Sequence, residues 1–149
     1  MTAGRPDVPL VRRHLVALIR AVETLRAYRG RPVDLLRSDQ AQLWVVEHGL
    51  QVFAQKALDV ATHLAASAGR DVPDYAAAID RLRDLGILAP EFAAGFRAVA
   101  DFRNVVVHGY LEVDPARVHA LLNERLEDFA EFARQVERHL AGLEAAPQG

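Results

Sequence analysis

Arg103, Asn104 and His108, followed at once by Gly109 and Tyr110, are the residues of this 149-residue chain best suited to chemistry. Histidine titrates near neutral pH and can take or give a proton. Arginine stays charged and grips phosphoryl oxygens through paired N–H groups. Together they suit attack of a ribose 2′-OH on its neighbouring phosphate, where negative charge builds on the phosphoryl oxygens. Asn104 and His108 stand four apart, so on a helix the amide can orient the imidazole. Arg103 and His108 stand five apart, about 140° around an ideal helix. They meet only if the last turn loosens at Gly109 or a second copy brings its own helix end. The spacing therefore predicts an assembled site and a homodimer.

Arg103 also falls inside the apolar stripe of Phe92, Phe96, Val99, Val106 and Val107. A guanidinium there needs a partner, because burying it alone is costly. Glu47, a second subunit and a bound phosphate are the three candidates, and a plain buried ion pair stays open beside them. One arginine and one histidine, taken alone, are more often structural than catalytic.

The remaining titratable groups carry less. His14, His48, His63, His119 and His139 form no i, i+4 pair and no H-E-x-x-H, so neither a metal nor a cofactor is expected. Trp44 reads as a core or interface residue. Ser38 and Ser67 have no hydrolase-like surroundings, and no glycine-rich phosphate loop is present.

The elements that must position the motif are helices. Val11, Leu15, Leu18, Val22 and Leu25 step at helical spacing, up to the breaker Arg29-Gly30-Arg31-Pro32. Leu43, Val46, Leu50, Phe53, Ala57, Val60 and Leu64 form a longer seam that stops near Gly69. A short helix follows Pro73, with Asp74 as N-cap and its end near Gly86. A fourth opens at Pro90 and runs to Gly109, carrying the motif. Asp114-Pro115 starts the last, with Val118, Leu122, Leu126, Phe129, Ala133, Val136 and Leu140 as its buried stripe. The expectation is an all-α, antiparallel up-and-down bundle of four long helices and one short one. One domain over 1–149 is expected, ordered from about 9 to 142, with frayed ends.

Composition sets outer bounds. Half the residues are hydrophobic, a quarter are charged and cysteine is absent, so no disulfide framework or thiolate site exists. With no apolar run long enough for a membrane span and no leader-like start, a cytoplasmic location is expected. The net charge of −2 argues against bulk electrostatic coating of nucleic acid. Residues 1–40 carry +4 and residues 111–149 carry −4. The basic third suits RNA or an acidic partner, or is simply a solvated face.

The run from Phe102 to Tyr110 reads R-N-x-x-x-H-G-Y and continues into Leu111-Glu112-Val113-Asp114-Pro115. With Tyr75 to Leu88 and the helical frame from about Leu10 to Leu140, it resembles the HepT-like family of HEPN-domain proteins. The resemblance implies a ribonuclease toxin of a toxin–antitoxin pair, dimerised so that two motif helices line one cleft. It implies RNA as substrate, tRNA among the candidates, and an MNT-type minimal nucleotidyltransferase as antitoxin. By position, Arg103 and His108 would be catalytic, Asn104 supporting, and Tyr110 the acceptor of AMP from the antitoxin. A second reading uses the same motif without cleavage: a helical partner that docks a nucleotidyltransferase and helps it bind nucleotide or substrate.

Overall fold

Four helix starts carry an aspartate cap. In the computed structural model, which describes residues 4–101 and 114–146, α1 spans Val8–Arg26. The Asp7 side chain accepts from Leu10 N at 3.0 Å, and Pro9 sits in the first turn. Its buried residues are the five the periodicity selects, Val11 to Leu25. The helix α3 spans Gln40–Ser67, capped by Asp39 through Gln42 N at 3.1 Å. It ends at Gly69, whose φ of 76° lies in the left-handed region that favours glycine. All seven residues of the predicted seam are buried. Asp74 caps α4, Tyr75–Asp84, through Ala77 N at 2.7 Å.

Three features depart from the sequence expectation. The helix opening at Pro90, expected to run unbroken to Gly109, ends at Phe96. A six-residue helix, α2 (Val33–Ser38), starts directly after the breaker Arg29-Gly30-Arg31-Pro32, in a stretch where no helix is expected. It burys only Leu36, too little periodicity to register in a pattern. Beyond α5 (Pro90–Phe96), the last predicted helix is two helices, α6 (Pro115–Glu124) and α7 (Leu126–Ala145). They are divided at Arg125, with φ −121° and ψ −2°. The described residues thus hold seven helices, a further helical stretch over 98–101, and no strand.

Packing follows from the stripes. The helix α1 lies against α3 and α7, and α3 is the central element, also touching α2, α4 and α6. Leu18, Leu25, Leu50, Phe53 and Leu126 are almost wholly buried, and each such side chain contributes about 1.5–3 kcal/mol. Gly49 sets how closely α1 approaches α3. A Cβ there would stand 2.8 and 2.9 Å from the two Leu25 methyl carbons, well inside ordinary contact. No helix among the described residues is long and apolar enough to cross a membrane.

Candidate functional site

Arg103, Asn104, His108 and Tyr110 lie outside the described residues, as do Val106 and Val107. The chain is described up to the motif on one side and from just past it on the other. It approaches through α5, is interrupted at Arg97, and is helical again over 98–101. It reappears at Asp114, whose side chain accepts from Ala116 N at 3.0 Å and starts α6 at Pro115.

The approach is held firmly. Phe96 is buried and stacks on Phe92 at 5.2 Å and on Phe132 at 5.0 Å. Phe129 meets Phe96 edge-on at 5.3 Å and Phe53 at 4.2 Å, which ties the approach to α3 and α7. Phe92 and Val99 pack partly buried against the same core, and Ala100 is buried. The apolar half of the predicted motif stripe is therefore in place as far as it is described. Arg97 Nε bonds Asp80 of α4 at 3.2 Å. Arg125 Nη2 donates to the Gly95 carbonyl at 2.9 Å. A small pocket beside this junction is lined by Leu50, Phe96, Val99, Leu121, Arg125 and Phe129.

Glu47, the acid considered for Arg103, is half-buried on α3 and accepts from Gln51 Nε2 at 3.2 Å. Eight residues along, Gln55 donates to Asp59 at 2.7 Å and lies 3.4 Å from the Tyr75 hydroxyl. Trp44 is 63% exposed, so it is not a core residue. It falls on the α3 face that turns away from the buried seam.

The basic and acidic thirds of the chain meet in the fold. Arg12 of α1 bonds Glu137 and Glu144 of α7, while Arg26 and Arg29 share Glu127. These bonds raise the pKa values of Arg12 and Arg26 and hold Glu144 and Glu127 below the usual carboxylate range. Arg12, Arg26 and Arg29 are therefore engaged with acids of α7 inside the chain. Three of the other histidines are engaged by the fold. His63 Nε2 accepts the Asp7 N–H at 3.0 Å, His119 Nε2 meets the Arg31 carbonyl at 2.8 Å, and burial holds His139 below its ordinary value. No three of the described His, Asp or Glu residues are placed to hold a metal ion.

The arginines at the helix breaks escaped the sequence reading. One signal for Arg125 exists: Val118, Leu122 and Leu126 step 4-4, where the rest of that stripe alternates 3 and 4. The signal at the other break is Gly95, a poor residue for a helix interior.

Comparison with known proteins gives a consistent frame. The family model described as Ribonuclease HepT-like matches residues 18–136. A relative from Aphanizomenon flos-aquae named tRNA nuclease HepT is 27% identical over 146 residues, covering 97% of each chain. Among solved structures, a tri-AMPylated Shewanella oneidensis HEPN toxin in complex with MNT antitoxin superposes with a TM-score of 0.76 at 18% identity. That match covers 90% of this chain and 99% of that one. The Bacillus subtilis cytosolic protein of unknown function YutE gives 0.79 at 16% identity, covering 97% and 96%. At these identities the two structures show a shared fold.

Proposed function

Because the chain belongs to the ribonuclease HepT-like family, we propose that it is a metal-independent endoribonuclease, the toxin partner of an MNT-type nucleotidyltransferase antitoxin. The observation that carries this reading is the family match over 18–136, which includes the whole run Arg103-Asn104-Val105-Val106-Val107-His108-Gly109-Tyr110. The relative named tRNA nuclease HepT supports RNA, and tRNA first, as substrate. The toxin solved with its MNT antitoxin supports the partner class. A cytoplasmic location follows from the same reading.

The proposed chemistry is transesterification. The 2′-oxygen loses its proton and bonds to phosphorus, the bond from phosphorus to the 5′-oxygen breaks, and that oxygen gains a proton. The ends are a 2′,3′-cyclic phosphate and a 5′-OH. His108 moves the protons, Arg103 holds the phosphoryl charge and Asn104 orients the imidazole. Two copies bring two motif helices to one cleft. Tyr110 is the AMP acceptor: its hydroxyl gives up its proton as the oxygen bonds to the α-phosphorus of ATP, and the bond to pyrophosphate breaks so that pyrophosphate leaves. The added phosphate then competes with RNA for the same cations.

Incubation with tRNA and mapping of the ends tests the core of this. Wild type should cleave in EDTA, and His108→Ala and Arg103→Ala should each lose on the order of 10²-fold or more. Cleavage that requires added Mg²⁺ defeats the metal-independent mechanism. A folded dimer that binds the nucleotidyltransferase but never cleaves RNA leaves the docking-partner reading in its place. Tyr110→Phe should abolish AMP addition by the partner and ATP, and undiminished addition assigns the acceptor elsewhere.

A further inference from the structure

The route into the motif is not a continuous helix. The α5 helix ends at Phe96. Arg97 keeps helical dihedrals (φ −54°, ψ −30°), but its carbonyl accepts from Ala100 N, three residues on, at 3.2 Å, and helix resumes over 98–101. Facing it, the α6–α7 run breaks at Arg125. Interrupted helices leave carbonyls of the last turn in need of outside donors. The Gly95 carbonyl takes one from Arg125 Nη2 at 2.9 Å. The two breaks therefore touch, and a single guanidinium joins them.

We propose that Arg125 is a positioning residue for RNA cleavage: it clamps the two helix breaks together and fixes the direction in which 98–101 leads toward the motif. The inference rests on the ribonuclease reading above. Its geometry is fully described. The Arg125 N–H closes α6 on the Leu121 carbonyl at 2.9 Å, and the Arg125 carbonyl accepts from Asp128 N at 3.1 Å. The backbone of Arg125 is thus locked into both helices. Its Nη1 lies 3.4 Å from Asp128 Oδ2, so one planar fork spans a carboxylate on α7 and a carbonyl on α5. From the other side, Arg97 is held by Asp80 at 3.2 Å, and Phe96 is held among Phe92, Phe129 and Phe132. The turn before 98–101 is therefore gripped by α4, α6 and α7 together.

A plain surface role predicts something else. The i, i+3 pair between Arg125 and Asp128 alone would be worth little and would act only on α7. The bond to Gly95 gives Arg125 a distant element to orient. A small misplacement at such a point reaches the reacting atoms as a loss of turnover.

The test compares Arg125→Ala and Arg125→Lys with Arg12→Ala, which breaks arginine–carboxylate contacts to Glu137 and Glu144, far along α7 from the junction. Steady-state tRNA cleavage and amide hydrogen exchange are measured on each. Arg125→Ala should lower kcat about 10- to 100-fold while KM stays within about threefold. Lysine, which keeps one donor, should restore part of the loss. Exchange should accelerate at 98–101 in Arg125→Ala and stay unchanged across α7 from Phe129 to Leu140. A kcat within about twofold of wild type, or a loss that only tracks melting temperature as in Arg12→Ala, overturns the proposal. If wild type cleaves no RNA, the ribonuclease reading fails on its own. Exchange then decides the clamp: faster exchange confined to 98–101 upholds it, and unchanged exchange ends it.

Discussion

Along the α1–α3 seam, two uninterrupted helices meet through Leu18, Leu25, Leu50 and Phe53, with Gly49 allowing close approach. At the corner of α5, α6 and α7, both facing helical runs are broken, at Arg97 and Arg125. Phe92, Phe96, Phe129 and Phe132, with Arg97 and Arg125, join the pieces there. The seam needs only repetition, because a regular stripe buries itself against another regular stripe. The corner needs particular residues, because each break leaves polar backbone to satisfy and a direction to set. The seam acts as scaffold, and the corner aims the chain toward the motif.

The largest stability effect should come from the corner's apolar anchor. Phe96→Ala removes a buried ring that touches three others. Urea unfolding should show a loss of about 3–5 kcal/mol. A loss below about 1 kcal/mol would mean that the corner repacks freely and is no more particular than the seam.

Gly49→Ala puts one carbon into the seam, against Leu25, which is 1% exposed. Regular packing with no room to give predicts a loss of about 1–3 kcal/mol. Unchanged stability in the same assay would show that α1 can slide on α3, and the picture of a rigid scaffold would fall.

Acid should act more weakly and in two steps. Burial holds His139 below its ordinary 6.5. Between those values the unfolded chain binds a proton that the folded chain does not, so stability falls as pH drops below about 6.5. Glu127, lowered first by Arg26, and Glu131, lowered first by Gln135, contribute stability above their ordinary 4.5. That contribution is lost as pH falls through their lower folded-state values. Both carboxylates are largely solvated, so each effect should stay under about 1 kcal/mol. Unfolding midpoints from about pH 8 to about pH 3 check this: His139→Gln should flatten the upper step and Arg26→Ala the lower. A profile that neither substitution changes would remove these groups from the acid response.

The sequence by itself determined the helical class, the caps at Asp74 and Asp114, every buried position of α1 and the main buried stripe of α3 and α7, though not flanking core residues such as Leu58 and Phe132. Those are local or periodic properties: a cap acts within three residues, and a stripe repeats every turn. It also marked the run Arg103 to Tyr110 by residue type and spacing, because motif chemistry is written in consecutive residues. Tertiary structure alone decided the rest. Leu36 gives α2 a single buried contact, Trp44 faces solvent, and Arg12 and Arg26 turn toward α7. Most clearly, Arg125 meets the Gly95 carbonyl across thirty positions of sequence. Propensity along one helix cannot report such a partner. It arises only when two breaks, each weakly signalled in its own stretch, are folded against one another.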